Sequence, residues 1–225
     1  MTALIKYLES LPGIGNNGPV IIKKYGLKTI ADLRKHIHNL PISAQVYIKH
    51  TPTREIPRGA ITRIKDKLGK KAIIAGSYRR GKRISGDIDI IWLGDRMEDA
   101  LDILKEKRAL ARYIVYSKGN KKMNVIAYLT KPKIKVQIDL YKATKENLSF
   151  FLIYLTGNSV FNIYMRKVAA SKGLLLNQDG LFKVKRENGK ITKRKQLPVK
   201  TEREVFKKLG IKYLAPSKRI GWKPL

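Results

Sequence analysis

Cysteine is absent from the 225 residues. Disulfides and thiolate zinc sites are therefore excluded, and a reducing compartment is compatible with the chain. Long apolar runs are absent too. The longest, Phe150 to Leu155, is too short to cross a bilayer. The segment from Met1 to Ser10 carries Lys6 and Glu9 and has no hydrophobic signal-peptide core. Neither a lipidation signal nor a long basic amphipathic helix is apparent, so no membrane partner is expected. A soluble intracellular protein is expected, with nucleus, cytoplasm and virion left open. Acidic residues are scarce: 17 Asp and Glu stand against 49 Lys and Arg, for a formal charge of +32. The basic residues occur along the whole length, so they are not a tail on a neutral body. A polyanion is the expected partner, with nucleic acid first. Apolar residues make up 43% of the chain, enough for a core in one or two domains.

The most informative stretch runs from Gly76 to Asp89. It reads Gly76-Ser77-Tyr78-Arg79-Arg80-Gly81, then Gly86-Asp87-Ile88-Asp89 after a short spacer. The flanks are apolar and isoleucine-rich, which predicts buried strands over about 71–75 and 87–93. Side chains at i and i+2 of a strand share a face, so Asp87 and Asp89 converge. Two carboxylates at one point repel unless a cation lies between them, and a divalent metal is the simplest solution. The turn before them offers backbone N–H groups, a hydroxyl and a guanidinium to a phosphate. Asp-X-Asp or Gly-Ser alone is commonly structural, but the joint spacing is far rarer by chance. Asp139, in the apolar strand Val136–Leu140, could lie beside this pair. Three carboxylates can hold two metal ions that clamp the attacking and leaving oxygens of a displacement.

The pattern along the chain predicts an α+β protein in three parts. Residues 1–57 read as helices at about 1–11, 19–25 and 29–36, broken by Leu11-Pro12-Gly13-Ile14-Gly15. Helix, Gly-X-Gly hairpin, helix reads either as a plain helix-turn-helix core element or as a hairpin whose backbone at Gly13 and Gly15 approaches a phosphate at the second helix start. Residues 58–143 read as a mixed sheet with helices near 58–68 and 96–107 and further strands near 112–117, 122–130 and 134–141. Residues 144–225 read as helices near 145–155, 160–172 and 202–209, plus a hairpin over 181–195 turning at Asn188-Gly189. That hairpin is strongly basic, with Lys193, Arg194 and Lys195 at its end. It reads either as a solvated ribbon or as a nucleic-acid contact. No internal repeat is apparent.

The chain resembles the family X DNA polymerases, the polymerase beta-like group of nucleotidyltransferases. The hairpin at 11–15, the signature from Gly76 to Asp89, and Tyr154-Leu155-Thr156-Gly157 with Phe161-Asn162 and Met165-Arg166 carry the resemblance. It implies a helix-hairpin-helix subdomain, a catalytic palm, and a C-terminal subdomain that selects the nucleotide. It also implies roles. Asp87 and Asp89 would bind two Mg²⁺ ions, with Mn²⁺ a substitute, and Asp139 would bind the catalytic one and attract the primer 3′-hydroxyl proton. Ser77, Arg80 and the Gly86 backbone would hold the triphosphate of a dNTP. Tyr154 and the Leu155–Gly157 backbone would lie against the sugar, Asn162 would bond the minor-groove edge of the base, and Arg166 would contact the template.

Four departures stand out. Leu155 replaces a frequent aromatic, Gln137 a frequent basic residue, and Ser159 an acid found in some members. The chain also begins almost at the hairpin, where relatives carry a lyase domain, and in this it is similar to the reduced, virus-type members. The implied activity is short-gap filling in gapped or nicked duplex DNA during base excision repair. It would act as a monomer, without proofreading and without efficient lyase activity. The rivals are template-independent or other nucleotide addition on the same palm, and a non-catalytic DNA-binding module.

DNA affinity is expected to fall steeply with salt, since each neutralised phosphate releases counterions. Replacing Lys193, Arg194 and Lys195 together by Ala should flatten the log–log slope in a fluorescence-anisotropy titration. A salt-independent affinity would rule out phosphate contacts as the main term.

Overall fold

In the computed structural model, which describes residues 2–187 and 190–220, Leu4, Leu8 and Leu11 recur at helical spacing and are all buried. The first two lie on α1 (Thr2–Ser10), which turns through Pro12–Ile14 towards α2 (Gly18–Tyr25). Gly26, at φ +61°, ends α2 in the left-handed conformation that glycine adopts without strain. A capping box opens α3 (Ile30–Lys35): Asp32 N–H donates to the Thr29 hydroxyl, and Thr29 N–H donates to the Asp32 carboxylate. A fourth helix, α4 (Ile42–Lys49), lies in the region read only as generally helical. These helices share a core of Leu8, Leu11, Leu33 and Tyr47 that also takes Tyr116 and Ile126 from the sheet behind them.

The middle of the chain runs β1 (Ile56–Pro57), α5 (Arg58–Leu68), β2 (Ala72–Ile74), α6 (Gly76–Arg79), β3 (Ile84–Ser85), β4 (Ile88–Trp92), α7 (Met97–Glu106), β5 (Leu110–Lys118), β6 (Lys122–Leu129) and β7 (Lys135–Lys142). Five strands form a mixed sheet ordered β2-β4-β7-β6-β5, in which only the β4–β7 pair is parallel. β1 pairs with β3 beside it. The two-residue period divides the sheet cleanly. Ile88, Ile90 and Trp92, with Val136, Ile138 and Leu140, pack against Ile61 and Ile64 of α5 and Leu101 and Leu104 of α7. The opposite face carries Asp89, Asp139, Gln137, Lys122 and Asn124. Its two ends are covered: Ile126 and Tyr128 by the N-terminal helices, Ile91 and Tyr141 by Phe151 and Leu155 of the C-terminal part. Polar residues occupy the uncovered strip between.

The C-terminal part comprises α8 (Leu148–Thr156), α9 (Ser159–Ser171), β8 (Leu174–Asn177), β9 (Gly180–Glu187), β10 (Lys190–Gln196) and α10 (Glu202–Lys208). The anticipated hairpin is β9–β10, and β8 adds a third strand that the short run Leu174–Asn177 did not announce. The turn expected at Asn188-Gly189 lies outside the described residues. Phe150, Phe161, Met165 and Phe206 form the core here. Among the described residues no helix is long and apolar enough to cross a membrane.

One buried ion cluster ties this part to the sheet. Arg79 of α6 donates to both oxygens of Glu202, at 3.0 and 2.6 Å. Arg219 donates to Glu202 Oε1 at 2.5 Å. Arg219 is fully buried and lies over the rings of Phe206, Tyr213 and Phe161 at 5.3, 5.6 and 5.8 Å. Burial pushes the Glu202 carboxyl up, but the hydrogen bond from Arg79 and the charge of Arg219 outweigh it, and the net shift is downward.

Replacing Glu202 by Gln leaves Arg219 buried without its counter-ion. Loss of about 3–5 kcal/mol of stability is expected in urea unfolding, the scale for breaking one side of a buried pair. Because the folded pKa is depressed, this stabilisation is present above the ordinary value of 4.5 and is lost as pH falls through the folded pKa. The variant should therefore lose that part of the acid sensitivity. A Glu202→Gln protein as stable as the parent at neutral pH would refute the assignment.

Candidate active site

The strand register decides the centre of the site. β4 and β7 run parallel with Asp89 directly beside Asp139. Asp87 precedes β4 by one residue, and Asp87 and Asp89 sit at alternate positions as expected for one face. Burial is the largest influence on Asp89, with the charges of Asp87 and Asp139 next, and together they push its carboxyl up to about 8. Asp87 is raised as well, by burial first and by Asp139 second. A mutually repelling carboxylate set calls for positive charge.

Cations reach the set from three sides. Lys122 of β6 places Nζ 3.0 Å from Asp139 Oδ2. Arg80 and Arg54 both favour the ionised form of Asp87. Asp139 is also held by Gln137, whose Nε2 donates to Oδ1 at 2.9 Å, and by the Tyr141 hydroxyl, 3.4 Å from Oδ2. Neither Lys122 nor Arg54 was singled out from the sequence. The signal for Lys122 was its alternation with buried Met123 and Val125, which puts it on the face opposite the core. Which groups it meets there depends on the β6–β7 pairing.

The Gly76–Arg79 turn, expected as a plain turn, forms one helical turn, and its glycine is required. Gly76 has φ +56°, and a Cβ there would meet Asp89 Oδ2 at 2.1 Å. The turn therefore sits directly on the carboxylate. Ser77 donates to Ser85 at 2.7 Å. The two arginines have separate fates. Arg79 is committed to Glu202 and to the Thr156 hydroxyl at 2.7 Å. Arg80 donates to the Thr156 carbonyl at 2.9 Å, yet its buried Nε has no partner. Burial works against the Arg80 charge, while Asp89 and Asp87 support it. An unpaired buried donor beside a glycine-serine turn suits an anionic oxygen. Gly86, part-exposed, lies alongside Arg54.

The remaining candidates fall into three groups. Tyr154, Leu155, Gly157, Asn162 and Arg166 lie on α8, α9 and the turn between them. Asn162 Nδ2 donates to the Tyr154 carbonyl at 2.7 Å, and Arg166 lies 5.6 Å from the Tyr154 ring centroid. The Leu155 side chain is buried with Ile91, Tyr141 and Phe151. Gly13 lines a cavity of about 350 Å³ that also takes in Ser10, Tyr47, Tyr116, Lys122 and Asp139. It has its own packing reason, since a Cβ would meet Ser43 Oγ at 2.6 Å, whereas the space beside Gly15 is open. Lys195 is exposed on β10, far along the chain from these groups. The side chains of Lys193 and Arg194 lie outside the described residues.

The donor chemistry fits a hard divalent ion: oxygen ligands only, clustered, and short of positive charge. As the side chains stand, however, no three Asp, Glu, His or Cys groups among the described residues are arranged to hold a metal.

A family model described as DNA polymerase beta palm matches residues 52–140, and one described as DNA polymerase beta thumb matches residues 151–220. DNA polymerase lambda of Arabidopsis thaliana is 29% identical over 239 residues, covering 92% of this chain and 44% of that protein. DNA polymerase lambda of Rattus norvegicus is 24% identical, with 96% and 42% covered. This chain thus spans less than half the length of those relatives. The Repair DNA polymerase X of African swine fever virus (isolate Tick/Malawi/Lil 20-1/1983) is 28% identical over 154 residues, covering 68% of this chain and 83% of that one. In fold, the chain is similar to the crystal structure of Leishmania infantum polymerase beta in a ternary P/T complex. The TM-score is 0.74 and the identity 23%, with 96% and 97% of the two chains covered.

Asp89 must be ionised to hold a cation. Mn²⁺ affinity of the free protein should therefore rise with pH up to about 8 and level off above it. Since the folded pKa is raised above the ordinary 3.8, the carboxyl costs stability increasingly as pH climbs towards about 8. Asp89→Asn should thus raise the melting temperature of the metal-free protein at pH 8. An unchanged or lower melting temperature would mean the repulsion is already neutralised.

Proposed function

Because the chain belongs to the polymerase beta-like family X of DNA polymerases, we propose that it is a DNA-directed DNA polymerase that fills short gaps in duplex DNA. Base excision repair is the proposed setting and a monomer the proposed working form. The observation that carries the reading is the Asp89–Asp139 register beside the Gly76–Arg80 turn. It sets a carboxylate pair against a phosphate-binding element.

The three parts divide the work: 1–57 grips the duplex through the Gly13 and Gly15 hairpin, 58–143 carries the chemistry, and 144–225 selects the nucleotide. Asp87 and Asp89 would hold two Mg²⁺ ions, or Mn²⁺ in their place, with Asp139 a further ligand to one. When bound, these ions supply positive charge to the attacking and leaving oxygens. Asp139 draws the proton from the primer 3′-hydroxyl. The O3′–Pα bond forms as the Pα–O bond to the β-phosphate breaks, and pyrophosphate leaves.

Ser77, the Gly86 backbone and the Arg80 guanidinium hold the β- and γ-phosphates; the unpartnered Arg80 Nε supports this placement. Tyr154 and the Leu155–Gly157 backbone lie against the sugar and disfavour a 2′-hydroxyl. Asn162 reads the minor-groove edge of the incoming base, and Arg166 contacts the template strand. Lys193, Arg194 and Lys195 add phosphate contacts along the duplex.

A single-nucleotide-gap substrate tests the reading. Templated addition of one matching dNMP is expected with Mg²⁺. Asp89→Asn should cut it by orders of magnitude while leaving DNA binding largely intact. Arg80→Ala should weaken dNTP affinity by about 1.5–3 kcal/mol, the scale of a charge-assisted hydrogen bond. Addition that ignores the template would replace this reading with template-independent transfer. An Asp89→Asn loss under about tenfold, roughly 1.4 kcal/mol of barrier, would sink the carboxylate assignment.

A further inference from the structure

Asp139 has its oxygens engaged within the chain. Oδ1 accepts from Gln137 at 2.9 Å, and Oδ2 accepts from Lys122 at 3.0 Å with the Tyr141 hydroxyl 3.4 Å away. Gln137 and Tyr141 sit two residues either side of Asp139 on β7, and Tyr141 is packed against Phe151. Both are uncharged, so neither balances the carboxylate. Lys122 does. Its side chain is 44% exposed, rests on the Tyr141 ring at 5.0 Å, and borders the cavity of about 350 Å³ that opens beside Asp139. Four methylenes let its ammonium swing into that space.

Lys122 also reaches beyond Asp139: with Arg54 and Arg80 it favours the ionised form of Asp87. An ammonium 3.0 Å from a carboxylate oxygen occupies the approach that an incoming cation would use.

We propose that Lys122 is an internal placeholder for the metal that Asp139 would share: it neutralises Asp139 while no ion is bound, and metal loading exchanges Lys122 for the divalent ion. Lys122 is thus a positioning residue, acting through Asp139. It also restores, from the neighbouring strand, the positive charge that Gln137 does not provide. Exchange of one cation for another keeps the carboxylates balanced throughout loading and sets a threshold on metal affinity. The inference rests on Asp139 as a metal ligand in the proposed function, but not on polymerase activity.

The test is Mn²⁺ titration of the free protein, with neither DNA nor nucleotide, read as free Mn²⁺ by electron paramagnetic resonance. Lys122→Met removes the competing charge at nearly constant volume and should tighten Mn²⁺ binding at least about threefold. Lys122→Gln, which keeps a polar end, should do the same and guards against a misfolded methionine variant. Lys122→Arg should bind as the parent does. Lys121→Met is the control: it removes the same charge one residue away, where Nζ pairs with Asp179 at 2.7 Å, and should leave the affinity unchanged. Weaker binding in both uncharged Lys122 variants would show that Lys122 only props Asp139, and would overturn the placeholder. So would equal tightening in the Lys121 control, or no Mn²⁺ binding in any form. Gap filling by the parent is scored separately. If the parent fails to fill gaps yet Lys122→Met tightens Mn²⁺, the polymerase reading fails and the placeholder stands. If gaps are filled and no tightening occurs, the reverse holds.

Discussion

Repulsion among three carboxylates, Asp139 buried and Asp87 and Asp89 half-buried, is the constraint around which this protein is arranged. Asp89 and Asp139 lie side by side because β4 and β7 are parallel and in register, and Asp87 adds a third charge next to them. Such a set is unfavourable by itself, and burial raises Asp87 and Asp89 rather than relieving them. The surroundings answer with cations that differ in freedom. Lys122 is ion-paired but exposed, Arg80 is partly unpaired, and Arg54 acts through its field on Asp87. A strained acidic centre inside a chain of formal charge +32 is the reverse of its general electrostatics. The positive exterior suits a polyanion, and the negative interior suits divalent ions.

Holding that centre requires a rigid support. The helix-covered face of the sheet supplies it: Ile88, Ile90, Val136, Ile138 and Leu140 are almost fully buried against α5 and α7. Slipping one strand by a residue would turn these side chains out and the aspartates in, so apolar burial holds the carboxylates in place. The C-terminal part is bound to the same turn that carries Ser77 and Arg80. Arg79 joins Glu202, and Arg80 joins the Thr156 carbonyl. Any movement of α8–α10 is therefore felt at the turn next to Asp89. Leu155, packed with Ile91 and Tyr141, adds an apolar contact between the two parts.

Much of this was legible in the amino-acid order. Alternation of apolar residues marked the strands, helical spacing marked α1, α5 and α7, and Gly26 marked the end of α2. Asp87 and Asp89 were identifiable as a pair because their spacing alone puts them on one face. Local chemistry determines such features, and it is written in neighbouring residues. Other elements escaped this reading, among them α4, β1 and β3. The short run Leu174–Asn177 becomes a strand where β9 offers it an edge, and Gly76–Arg79 winds into a helical turn packed on Asp89.

Pairing across the sheet was the part that only the tertiary structure decided. The sequence by itself determined the acidic motif, the basic character, the glycine-serine turn and the α+β class. It could offer Asp139 only as a candidate third carboxylate, and it distinguished Arg80 from Arg79 only through the family resemblance. The fold placed Asp139 beside Asp89, committed Arg79 to Glu202 and left Arg80 with a free N–H. It also brought Lys122, unremarked in a lysine-rich chain, onto Asp139. The physical reason is range. Propensity and alternation act over a few residues, whereas these contacts join positions up to 123 apart in the chain, set by strand register and by how helices cover the sheet.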